Sequence, residues 1–245
     1  MSPEEHEIMR SVEDHYWWYR ALRRHVVDSI SRDFRGRLLD AGCGTGGTLA
    51  AVRARFPNAE LFGVDSAERA LQLTRERETS AQLQRADVDQ LPFADEFFDC
   101  VLSIDVITAA TVNAEGAMRE ARRVLRARGK LIINVAAFDF LRGEHDLAVD
   151  VNRRFTRGEL RQLLSSARFA MERATYWNAL LMPPVAVARW RSRSRMPGEA
   201  RSDFRPLPAA MNETLRQIAL LELNLSRYLP LPFGTSLFAV ARRND

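Results

Sequence analysis

The run LLDAGCGTGG, residues 38–47, sets an acid and four glycines where an apolar strand gives way to a helix. Leu38 and Leu39 lead into Asp40, then come Gly42, Gly44, Gly46 and Gly47, and Thr48 to Phe56 reads as helical. Glycines at this density let backbone approach a ligand where side chains would collide. The N–H groups that open the following helix can then face an anionic part of that ligand. Gly42, Gly44 and Gly47 also satisfy G-x-G-x-x-G, a spacing that by itself leaves the ligand undecided among nucleotide-like molecules. A second carboxylate, Asp65, closes LFGVD at a distance along the chain suited to the two hydroxyls of a ribose. An acid pair, Asp87 and Asp89, precedes LPF and the apolar FDCVLS. His145, in GEHD at 143–146, adds a side chain able to move protons near neutral pH, with a surface or capping histidine as the plain alternative.

The elements that must position these residues alternate along the chain. Pro3 to Arg32 is predicted helical in two pieces, with HYWWYRALRR in the middle. Strands are predicted at Arg37–Asp40, Glu60–Asp65, Ala81–Ala86, Phe98–Ile104, Leu131–Ala137 and Ala170–Trp177, with a last one in PFGTSLFAVARR. Helices are predicted at Ala67–Arg77, at Ala114–Val124 with the turn RARGK after it, and from near Thr156. Two more are expected at Asn178–Arg191 and Leu207–Tyr228. Thr156 with Glu159 three residues on fits a capping box. The alternation predicts an α/β fold: a Rossmann-like, seven-stranded, mostly parallel sheet with helices on both faces. Such a sheet gathers the glycines and strand-end acids along one edge. A single domain is expected, with an N-terminal helical cap (1–34), a cofactor-binding core (35–177), a helical lid or insertion (178–230) and a final strand (231–245).

The order DAGCGTG, then GVDSAERAL, then ADVDQLPFADEFFDCVLS resembles the class I S-adenosylmethionine-dependent methyltransferases, of the type 11/12 kind. The resemblance implies S-adenosyl-L-methionine as cofactor. It implies backbone N–H groups around Gly42 to Gly46, with Cys43, near the donor's carboxylate and thioether, and Asp40 at its ammonium, directly or through water. Asp65 and Ser66 then lie at the ribose, Asp87 at the adenine amino group with Val88 on the ring, and Ser103 near the methionine end. Asp89 is the second choice to Asp87. The opening EDHYWWYRALRR is similar to the E-x-x-H-W-W-x-x-x-R start of a bacterial methyltransferase subgroup, with Tyr16 interposed between His15 and Trp17. The same subgroup's later motifs are echoed by His145 and Asp146, by Arg153, Arg154 and Phe155, by Trp177, Asn178 and Pro183, and by Pro232 to Ser236. These echoes make Tyr16, Trp17, Trp18, Arg20, Arg153, Arg154 and Asn178 candidates for acceptor contact and His145 the candidate catalytic residue; Asp105, just past the fourth predicted strand, is a further acceptor-contact candidate. Four consecutive aromatics cannot share one helix face, so part of that run is expected in the core and part against the cofactor or acceptor.

Bulk properties narrow the class. The chain has 245 residues and a net charge of +4, carried by arginine with Lys130 as the sole lysine. There is no apolar run of about 18 residues, as a membrane helix requires, and the acidic start MSPEEHEIMR does not read as a signal peptide. Cys43 and Cys100 lack C-x-x-C company, so no metal site and a reducing, cytoplasmic setting are expected. Basic charge is concentrated in 189–205, including ARWRSRSR; a solvated linker or contact with an anionic substrate or membrane headgroups fits it. Nucleic acid is disfavoured: no RNA-binding or zinc-finger spacing is present, and SIDVITAA stands where many base-modifying enzymes carry an Asn/Asp-Pro-Pro-aromatic motif. The expected function is methyl transfer to a small-molecule or lipid- or glycan-related acceptor by a monomer or homodimer. The alternatives are a non-catalytic S-adenosylmethionine-binding protein and an NAD-dependent oxidoreductase.

Overall fold

A computed structural model describes residues 3–143, 146, 150–183, 186–187, 207–226 and 228–245. Helices α1 (Pro3–Val12) and α2 (Trp17–Ser29) precede β1 (Arg37–Ala41), α3 (Gly47–Arg55), β2 (Glu60–Asp65), α4 (Glu68–Arg75), β3 (Gln82–Arg85) and β4 (Phe98–Ile104). Then come α5 (Ala114–Val124), β5 (Leu125–Ala136), α6 (Arg157–Ser166), β6 (Phe169–Trp177), α7 (Ala209–Leu225) and β7 (Ser236–Arg243). The strands form one sheet in the order β3-β2-β1-β4-β5-β7-β6. Every pairing is parallel except those of β7, which runs antiparallel between β5 and β6. The expected fold class is therefore the observed one.

Each face of the sheet is covered. One core joins Leu39, Val64, Phe98, Val101, Leu131 and Ile133 to Met118 of α5 and Leu160 of α6. The other joins Leu38, Leu61, Leu102 and Ile132 to Leu22 and Val26 of α2 and Leu49 of α3. Burial on both faces explains why the central strands read as unbroken apolar runs. The edge strand β3, sequence QLQR, is largely exposed, a polar edge that discourages pairing with other chains. Among the described residues no helix is long and apolar enough to cross a membrane.

Helix starts are fixed by side chains that accept from orphan N–H groups. Asn113 accepts from Gly116 N–H at 3.0 Å. Thr156 and Glu159 form the expected capping box, with Thr156 N–H donating to Glu159 Oε2 at 2.7 Å. Tyr16, at the N-cap of α2, supplies no such oxygen; instead Asn212 of α7 accepts from Trp17 N–H at 2.8 Å and donates to the His15 carbonyl at 2.5 Å. The N-terminal cap and the late helical segment are thus joined at a helix terminus, a link of about 1 kcal/mol by the usual value of an N-cap.

One boundary differs from expectation. RARGK is not a turn before a fifth strand at Leu131, because β5 already begins at Leu125. Phe98 faces Leu125 and Cys100 faces Lys130, so residues 126–129 bulge opposite Asp99 alone. Arg128 takes the left-handed backbone (φ 62°) there, and Arg126 Nη1 holds Asp99 Oδ1 at 2.8 Å. Of the two helices expected around the arginine-rich stretch, the second is α7; much of the first lies outside the described residues.

Candidate cofactor site

β1 delivers Asp40 to the carboxyl edge of the sheet, where the side chain is 2% exposed. The loop that follows turns through left-handed conformations at Gly42 (φ 85°), Gly44 (φ 53°) and Gly46 (φ 79°). At Gly42 a Cβ would fall on the Val106 side chain beyond β4, and at Gly46 it would come within 2.6 Å of Thr74 Cγ2. Only glycine satisfies both the backbone angle and the close approach at these two positions.

The loop amides are not where the sequence placed them. Gly42 and Cys43 donate to the Val64 carbonyl at 2.8 and 2.9 Å, and Gly46 donates to the Cys43 carbonyl at 3.0 Å. Gly44 N–H donates to Asp65 Oδ2 at 2.9 Å. The loop winds back onto the end of β2, so these four amides satisfy the protein and do not face a donor carboxylate. What the loop offers is a surface without side chains, next to two carboxylates.

Those carboxylates differ. Asp65 accepts one hydrogen bond at each oxygen, from Gly44 N–H and from Ala67 N–H at 2.9 Å. It pins the loop and the start of α4 while each oxygen keeps a second lone pair. Asp40 is the opposite case: among the described residues its buried Oδ1 has no hydrogen-bond partner. Burial, followed by the nearby Asp65 charge, pushes the Asp40 carboxyl up to about 8. A buried carboxylate with an orphan oxygen is costly unless a cation or donor meets it, which is what a bound ammonium supplies. Cys43 is buried in the same loop, and burial raises its thiol well above the usual range.

The remaining cofactor candidates lie around the same edge. Asp87, just past β3, is exposed, with Val88 half-buried against the core. Ser66 is exposed and its carbonyl accepts from Arg85 Nε at 2.9 Å. Ser103 is buried near the end of β4.

An ion-pair cluster holds the N-terminal cap on the glycine loop. Glu13, 4% exposed, pairs with Arg23 of α2 at 2.6 Å and with Arg77 beyond α4. Thr45 Oγ1 donates to the same carboxylate, and Arg77 Nε donates to the Thr45 carbonyl at 2.6 Å. Asp14 pairs with Arg10, Arg23 and Arg77, each at 3.0 Å. Burial is the largest single influence on its carboxyl and raises it, but Arg77 and Arg23 together hold it below the usual range. A Cβ on Gly47 would fall on Glu13 and Arg23. A carboxylate of the cap thus sits at the N-terminal pole of α3, where a helix favours negative charge. The Glu and Arg of the opening motif do structural work there, and Arg77 completes the cluster from 64 residues away, with no local signal to announce it.

The aromatic run divides as its helical spacing requires. Trp17 is core, packed near Leu22 and Leu223. Tyr16 is half-buried at the N-cap, its ring 6.1 Å from that of Trp17. Trp18 stacks on Trp177 at 5.6 Å and meets Tyr19 edge-on at 5.1 Å. Trp177 Nε1 donates to Asn134 Oδ1 at 2.9 Å, and Asn134 Nδ2 donates to both oxygens of Asp105 at 2.9 and 3.1 Å. Asp105, just past β4, is half-buried and left-handed (φ 59°). Burial pushes its carboxyl up to about 7, against the lowering influence of Asn134 and the Arg154 charge. Tyr19 is raised well above its ordinary value by burial, then by the charges of Glu13 and Asp105. Asn134, a polar residue inside the apolar LIINVAA, was the readable signal for this arrangement.

Other acceptor-contact candidates are engaged within the fold. Arg154 is 5% exposed, gripping Asp146 through two hydrogen bonds (3.0 and 2.7 Å) and donating to the Ala137 carbonyl at 2.8 Å. Arg153 lies over the Phe155 ring at 4.5 Å. Arg20 is exposed and reaches Glu213 of α7 at 3.4 Å. Asn178 is buried in a left-handed turn and donates to Thr235 Oγ1 at 2.8 Å, while its Oδ1 has no partner among the described residues. His145 lies outside the described residues. Among the described residues no group of acidic, histidine and cysteine side chains is arranged to hold a metal. Lys130, the sole lysine, has Arg126 four residues before it, so the sequence holds no Tyr-x-x-x-Lys set; Lys130 donates from β5 to the Ser29 carbonyl at 3.2 Å.

Residues 39–133 match the family described as a methyltransferase domain. A malonyl-[acyl-carrier protein] O-methyltransferase of Dechloromonas aromatica is 36% identical over 141 residues, covering 54% of this chain and 51% of the relative. A demethylmenaquinone methyltransferase of Thermotoga maritima is 29% identical over 111 residues, covering 45% and 48%. The chain thus spans about half the length of the curated relatives it matches. Among solved structures, a geranyl diphosphate C-methyltransferase from Streptomyces coelicolor, bound to S-adenosyl-L-homocysteine, superimposes with a TM-score of 0.62 at 14% identity, covering 92% of this chain and 77% of that one. A methyltransferase complexed with the Trm112 activator of Haloferax volcanii gives 0.64 at 18% identity, covering 99% and 95%; both likenesses are of fold. The match to the methyltransferase domain spans residues 39–133, which hold most of β1, all of β2 to β4 and most of β5 of the sheet ordered 3-2-1-4-5-7-6.

Proposed function

We propose that the protein transfers a methyl group from S-adenosylmethionine to a small-molecule or lipid- or glycan-related acceptor. The observation that carries the reading is the buried Asp40 Oδ1, unpartnered among the described residues, beside the left-handed glycine turn and Asp65. These residues fit the donor: Asp40 for its ammonium, the glycine turn for close approach, Asp65 for its ribose, and Asp87 with Val88 for its adenine. When bound, the donor supplies a methyl group already activated by a sulfonium. The chain's own task is alignment and exclusion of water. The Glu13–Arg23–Arg77 cluster clamps α1 and α2 on the loop, while Trp18 and Tyr19 line the side toward Asp105.

The acceptor then lies between the N-terminal cap and the 178–230 segment, whose α7 is tied to α2 through Asn212. The family's relatives that act on malonyl-[acyl-carrier protein] and demethylmenaquinone support a small-molecule or carrier-linked acceptor. The arginine-rich 189–205 stretch, outside the described residues, is proposed to contact anionic parts of that acceptor or membrane headgroups. Buried, unpaired Cys43 and Cys100 fit work in a reducing cytoplasm.

Calorimetry with S-adenosylhomocysteine tests the reading. Binding that NAD does not compete away is expected. Tight NAD binding with no response to S-adenosylhomocysteine would refute it.

A further inference from the structure

Asp105 stands out among the residues that cofactor binding leaves unused. It follows β4 at the carboxyl edge, and the side chain of the next residue, Val106, packs where a Cβ on Gly42 would lie. Its backbone is held in a left-handed conformation that aspartate tolerates better than most residues. Asp105 N–H donates to the Asn134 carbonyl at 2.9 Å, and Thr108 Oγ1 donates to the Asp105 carbonyl at 2.8 Å. The side chain is clamped by the same Asn134 that clamps the backbone.

The clamp has a direction. An indole N–H only donates, so Trp177 Nε1 obliges Asn134 to turn its oxygen toward the tryptophan and its amide nitrogen toward Asp105. Trp177 is in turn covered by Trp18 of the HYWW run. Three residues from β5, β6 and α2 therefore fix how one half-buried carboxylate faces the edge above the glycine loop. The other groups facing it are the Tyr19 phenol from α2 and the Arg154 guanidinium ahead of α6, the latter already paired with Asp146.

We propose that Asp105 is the acceptor-facing carboxylate of the site, receiving the N–H or O–H of the acceptor's nucleophile and taking its proton, with Asn134, Trp177 and Trp18 as positioning residues. The proposal rests on the methyl-transfer reading. In the step, the nucleophile's N–H or O–H bond breaks and its proton passes to an Asp105 oxygen. A lone pair of the nucleophile makes the new bond to the methyl carbon, and the sulfur keeps the electron pair of the methyl–sulfur bond that breaks. The proton leaves Asp105 for solvent afterwards. The acceptor class that needs this group is an amine or hydroxyl compound, since a carboxylate oxygen has no proton to lose.

Sinefungin, which carries an ammonium where the donor carries its methyl group, tests the placement without knowledge of the acceptor. Its affinity relative to S-adenosylhomocysteine is to be measured by calorimetry from pH 5.5 to 8.5 in the whole protein and in Asp105→Asn. The wild-type preference for sinefungin should rise about tenfold as Asp105 loses its proton, the scale of one charge-assisted hydrogen bond. Asp105→Asn should bind S-adenosylhomocysteine normally and show no such rise. Equal pH dependence in the two proteins would overturn the proposal while leaving the cofactor reading intact; loss of S-adenosylhomocysteine binding to the wild type would overturn both. Trp177→Phe keeps the stacked ring but removes the N–H that orients Asn134. The midpoint of the sinefungin transition, and of the Asp105 carboxyl carbon followed by 13C NMR, should then move to higher pH. An unmoved midpoint in a merely less stable protein would overturn the positioning role.

Discussion

Asp40→Asn should make the ligand-free protein more stable at alkaline pH and a poorer cofactor binder. The Asp40 carboxyl is raised from an ordinary 3.8 to about 8, first by burial and then by Asp65. Between those two pH values the folded protein holds a proton that the unfolded chain has released, so folding stability falls as pH rises across the window. The four pH units between 3.8 and about 8 set an extreme of ~6 kcal/mol at 1.36 kcal/mol each. Relaxation and water entry reduce the penalty for a real buried charge to a few kcal/mol. Asparagine has the same shape and does not ionise, so its stability should not show this decline. The assay is urea unfolding of both proteins from pH 5 to 9, with and without S-adenosylhomocysteine. Ligand should restore the wild type at high pH, because its ammonium meets the orphan oxygen, and should bind Asp40→Asn about tenfold or more weakly. Parallel pH profiles for the two ligand-free proteins would refute the argument that Asp40 is a buried, unmet charge.

Three further outcomes are expected. Glu13→Gln removes the charge that faces Arg23 and Arg77 and should cost ~3 kcal/mol, lowering Tm by roughly 6–12 °C; Gly47→Ala places a methyl on the same contact, so calorimetric scans of the double variant should show less than the sum of the two losses. Asp65→Ala takes the acceptor from both Gly44 and Ala67 N–H, and titration should find S-adenosylhomocysteine weaker by about 1–3 kcal/mol; unchanged affinity would remove Asp65 from the site. Asp146→Asn breaks a buried two-point pair with Arg154 and should destabilise by ~3–5 kcal/mol in urea unfolding, whereas an exposed pair would lose under ~1 kcal/mol.

The parts of the protein legible in sequence are those whose determinants are local. Leu38 to Gly47 specify strand, turn and helix within ten consecutive residues, and the glycines needed at left-handed positions sit in that same stretch. Apolar runs bounded by acids marked β1, β2 and β4, and Thr156 with Glu159 marked the start of α6. The RARGK bulge was misplaced because its conformation follows from pairing against Asp99, which local propensity does not contain. Motif residues such as Trp17, Arg20 and Arg154 carried no sign of whether they face a ligand or the protein's own interior. Burial and partner decide that.

The sequence by itself determined the resemblance to methyltransferases, the order of elements and the carboxylates at the strand ends, since each is written in contiguous residues. Only the tertiary structure decided that the loop amides serve Val64, Cys43 and Asp65 and that Asp40 is left unmet. Only it showed that Glu13 reaches Arg77 and that Trp18 stacks on Trp177, whose indole N–H donates to the Asn134 that in turn donates to Asp105. These relations join residues far apart in the chain, and their energies come from burial and from hydrogen bonds closed across the sheet edge, which exist only after the strands have assembled.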